Sequence, residues 1–194
     1  EANVFDCELS YDGIIGAIRS KDPKKFLYTI EFFPEEGKYH YDGHRLCNFS
    51  QDPALTKEKG KICPVCKKSM TIGVLNRVGE LADRPVGSKP ETVIPFKSLV
   101  TLDKIIGDAL QVGERSKMVK REYESLLARF GDELNVLLDV SPADLKSASD
   151  RRIAEGILKV REGRVKVVPG YDGEYGKISI FDEAELKIPQ ETLF

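Results

Sequence analysis

Four side chains between residues 44 and 66 have the types and the spacing to hold a metal ion. His44 and Cys47 form an H-x-x-C pair, Cys63 and Cys66 form a C-x-x-C pair, and fifteen residues separate the two. Zinc takes four nitrogen or sulfur ligands at tetrahedral corners, about 2.0–2.3 Å from the ion. A two-residue spacer lets both ligands of one tight turn reach the same ion, and the intervening loop brings the second pair round to the first. Gly60 and Pro64 suit such turns. A Cys3His set fills the tetrahedron and leaves no position open for water or substrate, so the metal is expected to be structural. His40 competes with His44, and the two-residue spacing to Cys47 favours His44. Spacing does not separate zinc from iron in such a site. Cys7 lies far from the cluster and is expected as a small buried apolar residue.

Those ligands sit in a chain of 194 residues with 41% hydrophobic and 32% charged residues, the balance of a soluble globular protein. The length suits one medium domain or two small ones. A net charge of -2 excludes a globally basic nucleic-acid binder, so any polyanion must meet a local patch. The sequence carries no signal peptide, long apolar run or lipidation motif, and its cysteines have metal-type spacing. The cytoplasm is therefore the expected location, with no membrane partner. The first residue is Glu1 rather than Met, and the chain is expected to be part of a longer one.

The elements that must position the ligands are readable from caps and periodicity. Residues 3 to 33 read as strand, helix and strand. Ser10 caps a helix over Tyr11–Arg19 with Ile14, Ile15 and Ile18 on its apolar face, and FLYTIEFF is a short buried strand. Asp52-Pro53 opens a short helix. Met70 to Leu75 reads as a strand and Arg77 to Asp83 as a short amphipathic helix. VGSKPETVIP, residues 86–95, is a linker. Residues 97 to 162 are mostly helical: Leu102, Ile105, Ile106, Ala109 and Leu110 recur at helical spacing, and so do Val119, Tyr123, Leu126, Leu127 and Phe130. Ser116, Ser141-Pro142 and Asp150 are helix starts, and Gly131 and Gly163 are stops. RVKVVPGYDGEYGKISIF is a terminal β-hairpin with Tyr171 and Tyr175 at its tip.

Two surface features admit a functional and a plain reading. Lys57, Lys59, Lys61, Lys67 and Lys68, against Glu58, are either a solvated face or a phosphate-contacting surface. The hairpin tyrosines either decorate a turn or stack on a base. Arg77, Glu80, Asp83 and Arg84 can satisfy one another.

EFFPEEGKYHYDGHR, the C-P-x-C pair, TIGVLNRVGELADRP and PGYDGEYGKI stand in that order, and together they resemble endonuclease Q, from about Val4 to Phe181. This is a family of DNA-repair nucleases of archaea with some bacterial relatives. The resemblance implies an α+β chain in three parts: the end of an α/β domain of the polymerase-and-histidinol-phosphatase (PHP) type over 1–38, a zinc-binding module over 39–88, and a helical region with a terminal β-hairpin over 89–194. It implies a parent enzyme that nicks DNA on the 5′ side of uracil, hypoxanthine, xanthine or an abasic site by metal-assisted phosphodiester hydrolysis. DNA contacts would fall on Lys57, Lys59, Lys61, Lys67, Lys68, Arg77, Arg84, Tyr171 and Tyr175, with structural zinc on His44, Cys47, Cys63 and Cys66. No histidine lies beyond the zinc region, so no catalytic residue is expected here, and catalytic divalent metals would belong to the missing N-terminal domain. The chain departs from the family at Asn76, where a histidine usually stands.

Two alternatives stand beside this reading. One is a non-catalytic zinc-ribbon interaction module with a protein partner. The other is part of a PHP-type phosphoesterase acting on small phosphate esters. A G-x-x-x-x-G-K-[ST] loop is missing, which removes an ATPase reading.

Overall fold

The computed structural model describes residues 1–90 and 93–186. It is an α+β chain that divides into two compact units. Unit 1 comprises 1–97 with 167–177, and unit 2 comprises 98–166 with the chain from 178 onward. The segment Val167–Lys177, expected with the helical region, thus groups with the metal-ligand region. The linker expected over 86–95 runs through Glu91 and Thr92, which lie outside the described residues. No described helix is long and apolar enough to cross a membrane.

Unit 1 begins with β1 (Ala2–Phe5), α1 (Tyr11–Ser20) and β2 (Phe26–Glu31). The Ser10 hydroxyl accepts the Gly13 N–H at 3.1 Å, which satisfies one orphan donor of the first turn of α1. Strands β1 and β2 are antiparallel, with Ala2 opposite Ile30 and Val4 opposite Tyr28, and a register shift after Val4 brings Phe5 opposite Phe26. Those two rings stack tilted at 4.6 Å. Of the expected apolar face of α1, Ile14 and Ile15 are half-buried and Ile18 is exposed; the buried residue of the helix is Ala17.

The ligand region follows as β3 (Asp42–His44), a 3-10 turn over Arg45–Cys47, β4 (Phe49–Gln51), α2 (Pro53–Lys59) and α3 (Val74–Leu81). Asp52 caps α2 through the Ala54 N–H at 2.8 Å, as the Asp-Pro pair predicts. The strand expected over Met70 to Leu75 does not form. Thr71 pairs with Gly43 as an isolated antiparallel bridge, and α3 already starts at Val74, with Gly73 in the N-cap position. The Val74 N–H donates to the Tyr39 carbonyl and Leu75 N–H to that of His40, so neighbouring backbone satisfies donors that a strand partner would have taken. Strand β5 (Phe96–Ser98) completes the order β1-β2-β5.

Unit 2 packs α4 (Leu102–Leu110), α5 (Lys117–Phe130), α6 (Glu133–Leu138), α7 (Pro142–Ala148) and α8 (Arg151–Arg161) around Leu102, Ile105, Ile106, Leu126, Val136, Leu145, Ile153 and Ile157. Ser116, Ser141 and Asp150 each accept a first-turn N–H with their side chains, so the three starts read from sequence are real caps. Gly156 lets α8 approach α4, because a Cβ there would lie 3.0 Å from Ile105 Cγ2. The chain then passes through β6 (Lys166–Val168) and β7 (Lys177–Ser179), which pair as a two-stranded sheet, and reaches α9 (Glu183–Leu186).

Candidate metal centre

Two tight turns aim the four ligands at one point. In the first, β3 delivers His44 and the 3-10 turn delivers Cys47. Asn48 then takes a positive φ of 47°, which an asparagine accepts readily, and the chain returns along β4. His44 faces Phe49 across that ladder. In the second, the Lys67 N–H donates to the Cys63 carbonyl at 2.9 Å and the Cys63 N–H to the Lys68 carbonyl at 2.8 Å. Ile62 and Ser69 bridge below the turn. Lys67 carries the positive φ here, at 61°, and its ammonium donates to the Pro64 carbonyl at 3.0 Å.

The ligand atoms of His44, Cys47, Cys63 and Cys66 all lie within 4.8 Å of one another. His44 Nδ1 and Cys66 Sγ are 3.4 Å apart. Tetrahedral bonds of the zinc type place donor atoms roughly 3.3–3.8 Å apart, so small side-chain movements close the cluster on an ion. The donor set fits a metal. His44, not His40, is the imidazole of the group; the His40 ring stacks on Tyr41 at 5.6 Å. Cys7 is half-buried and outside the cluster.

The thiols are unequal. Burial works to raise Cys63, but N–H groups of Cys66 and Val65 and the neighbouring thiols donate to its sulfur, and together they bring it down to about 7. Burial, donation to Cys66 and Cys63, and their charges push Cys47 up to about 11. A cation that binds the cluster displaces the protons its thiols still carry.

Three residues that spacing did not single out hold the turns in place. Asp42, fully buried on β3, accepts from the Gly73 N–H at 2.6 Å and from Asn76 Nδ2 at 2.8 Å, which ties the first turn to the start of α3. Asn76 therefore has a role, as a donor to this carboxylate. Asp172, at the hairpin tip, accepts from the Arg45 N–H at 2.6 Å and the Thr71 hydroxyl at 2.5 Å. One carboxylate thus grips the chain beside His44 and the chain beyond Cys66. Burial works against the Asp172 charge, yet its hydrogen bonds from Thr71 and Arg45 and the charges of His44 and Arg45 hold its carboxyl below the usual range. Tyr171 donates to Asn48 Oδ1 at 2.9 Å, and its ring lies against Gly43, where a Cβ would run into it. Only the order of the motifs hinted at these contacts, since Asp172 and Thr71 are 101 residues apart.

The residues expected to touch DNA fall into distinct groups. Lys57, Lys59, Lys61 and Lys68 are exposed on the same unit as the cluster. Lys67 is tied to its own turn. Arg77 pairs with Glu80 and Arg84 with Asp83, both at 2.9 Å and both exposed, as the self-satisfied reading has it. Tyr171 is engaged within the unit, whereas Tyr175 is exposed with the Lys38 ammonium 4.4 Å from its ring centroid.

The family described as the MJ0043 C-terminal domain matches residues 101–164, within unit 2. The chain is 33% identical over 155 residues to the uncharacterized protein MJ0043 of Methanocaldococcus jannaschii, covering 80% of this chain and 20% of that protein. It is 28% identical over 172 residues to the uncharacterized protein YqxK of Bacillus subtilis, covering 84% of this chain and 38% of that one. Among solved structures it is similar to the lesion-specific endonuclease PfuEndoQ from Pyrococcus furiosus, with a TM-score of 0.82 and 30% identity, over 98% of this chain and 47% of that chain. It is also similar to endonuclease Q in complex with a 27-mer duplex substrate carrying an abasic lesion at the active site, with a TM-score of 0.76 and 30% identity, over 99% of this chain and 48% of that one. The chain spans less than half the length of each of these proteins. Over nearly its whole length it therefore shares the fold of endonuclease Q, the family its motifs resemble.

Proposed function

We propose that this chain is the metal-braced, DNA-binding portion of a DNA-repair endonuclease of the endonuclease Q type, with zinc on His44, Cys47, Cys63 and Cys66. The observation that carries the reading is the shared fold over 98% of the chain at 30% identity, together with the four-ligand cluster. Zinc suits a closed Cys3His set and serves there as a fold determinant. The parent protein would nick 5′ to uracil, hypoxanthine, xanthine or an abasic site, with its catalytic divalent metals on a PHP-type domain of which residues 1–38 are the end. Residues 39–88, joined by the segment Val167–Lys177, would form the zinc module, and the rest of 89–194 the helical part. Within this chain, DNA phosphates are met by Lys57, Lys59, Lys61 and Lys68. The ion-paired arginines Arg77 and Arg84 contribute less, because a phosphate must first compete with Glu80 and Asp83.

The test is binding of a uracil-containing duplex and its undamaged counterpart across a salt series, with the zinc content of the chain measured in parallel. Each phosphate contact contributes a slope of about -0.9 in log K against log salt. Reversing Lys61 and Lys68 to Glu is expected to flatten that slope by about two contacts' worth. A chain with bound zinc whose DNA affinity is absent at low salt would leave the zinc and refute the DNA surface.

A second reading draws on one feature. Val74, Val78 and Leu81 lie at helical spacing on α3, and all three are exposed. An unpartnered apolar stripe of this kind fits a protein partner, in line with a zinc-ribbon interaction module. Charge reversal at Lys61 and Lys68 would leave such binding intact, while Val78→Asp would abolish it.

A further inference from the structure

The hairpin tip does more than clasp the ligand turns. Asp172 and Gly173 both take positive φ, 46° and 90°, as a two-residue Asp-Gly hairpin loop requires. The tip backbone is fixed on both sides of the loop. Tyr171 and Glu174 exchange backbone hydrogen bonds at 3.0 and 2.8 Å, and the Gly173 N–H donates to the Lys38 carbonyl at 3.0 Å. The Gly170 N–H donates to the carbonyl of Glu35 at 2.8 Å. Asp172 adds its two bonds to Arg45 and Thr71. Tyr175 follows directly on this immobilised turn, and it remains 70% exposed.

Tyr175 has company of one chemical kind. The Lys38 ammonium lies 4.4 Å from its ring centroid. The next residue, Tyr39, is 51% exposed. The Tyr39 hydroxyl and the Arg45 guanidinium both lie over Gly173, where a Cβ would sit 3.7 Å from the first and 3.4 Å from the second. Arg45 is only loosely engaged, with Glu174 at 3.8 Å and both side chains about half exposed. Two exposed aromatic rings and two cations therefore surround one rigid turn.

Aromatic rings held open to solvent on a fixed backbone lose little freedom when something flat stacks on them. Bases of an intact duplex have their faces covered by their neighbours, whereas an unpaired base offers its face. The cations suit the phosphates on either side of such a base. We propose that Tyr39 and Tyr175, with Lys38 and Arg45, form a stacking platform for an unpaired nucleotide of bound DNA, the base on a tyrosine ring and its phosphates on the two cations. This rests on the DNA-binding reading above and deepens it by naming a subsite that duplex phosphate contacts do not require. Tyr171, engaged with Asn48 and Gly43, takes no part.

The test uses the full chain and two fluorescein-labelled duplexes of one sequence, one fully paired and one in which a base stands opposite an abasic position. Anisotropy is expected to show tighter binding to the second. Tyr175→Ala and Tyr39→Ala should each remove roughly 5- to 100-fold of affinity for that duplex, the range of one lost stacking contact. They should leave binding to the fully paired duplex near the wild-type value, and Tyr175→Phe should keep the preference. A wild-type chain that binds both duplexes equally, with alanine variants indistinguishable from it, overturns the platform and spares the DNA-binding reading. A wild-type chain that binds neither overturns both.

Discussion

A lysine is seldom buried without a partner, and Lys159 on α8 is 5% exposed. Its ammonium pairs with Glu185 of α9 and lies 4.8 Å from the centroid of the Phe181 ring. Removing one member of a buried pair strands the other charge and costs about 3–5 kcal/mol, while replacing the pair by apolar groups is often neutral. The Glu185 side chain is 40% exposed, so water still reaches the stranded group and the cost shrinks. Glu185→Gln is expected to destabilise unit 2 by about 1–2 kcal/mol in a urea melt, and Lys159→Met with Glu185→Gln to recover most of that. The pH dependence has a definite sign. The hydrogen bond from Lys159, then that from the Asp182 N–H, holds the Glu185 carboxyl below its ordinary value. Its contribution is therefore fully present above the unfolded carboxyl range, near pH 4.3, and is lost as pH falls through the folded value. The wild type should lose this increment on acidification, and the Gln variant should show no such loss; parallel acid profiles would disprove the coupling.

Arg161 shows how one side chain finishes an element. Helix α6 is only six residues long and ends with carbonyls that have no intrahelical partner. The Arg161 guanidinium donates to the carbonyls of Val136, Leu137 and Val140, each at 2.7 Å. A cation at a helix C-terminus also meets the negative end of the dipole. Arg161→Ala should cost about 2–4 kcal/mol, since buried acceptors lose charged donors. Arg161→Lys should recover only part of it, because one ammonium cannot reproduce the planar fork. A lysine variant as stable as the wild type would show that charge alone suffices. At this scale the sequence was legible at most side-chain caps: Ser10, Asp52, Ser116, Ser141 and Asp150 all cap their own helices, while Asp132, which caps α6, was not singled out. It misled where backbone partners came from afar. Apolar residues in Met70 to Leu75 suggest a strand, but Gly43, Tyr39 and His40 take up that segment's backbone groups and α3 begins early.

The same contrast governs the whole molecule. The four side chains that could hold a metal ion were legible because two short spacers confine each pair locally. The residues that brace them, Asp42, Asp172 and Tyr171, were not, because their partners lie 31 to 127 residues away and only the fold brings them together. That architecture has a consequence for chelation. The tip segment Val167–Lys177 belongs to unit 1, and its bonds run to Glu35, Lys38, Tyr41, Arg45, Asn48 and Thr71, all around the two ligand turns. Structural zinc contributes on the order of 10–16 kcal/mol in small finger peptides, far more than the hydrogen bonds of one hairpin tip. Chelation, or Cys63→Ser or Cys66→Ser, should therefore remove amide protection from residues 41–71 and from the tip together, although nearly a hundred residues of chain separate them. Helices α4 to α8, built around their own apolar core, should keep theirs. Hydrogen exchange with and without chelator reads this directly. Protection retained at the tip while the ligand turns open would mean that the hairpin holds its place without the metal, and the clasp through Asp172 would then be a consequence of the fold rather than a support of the site.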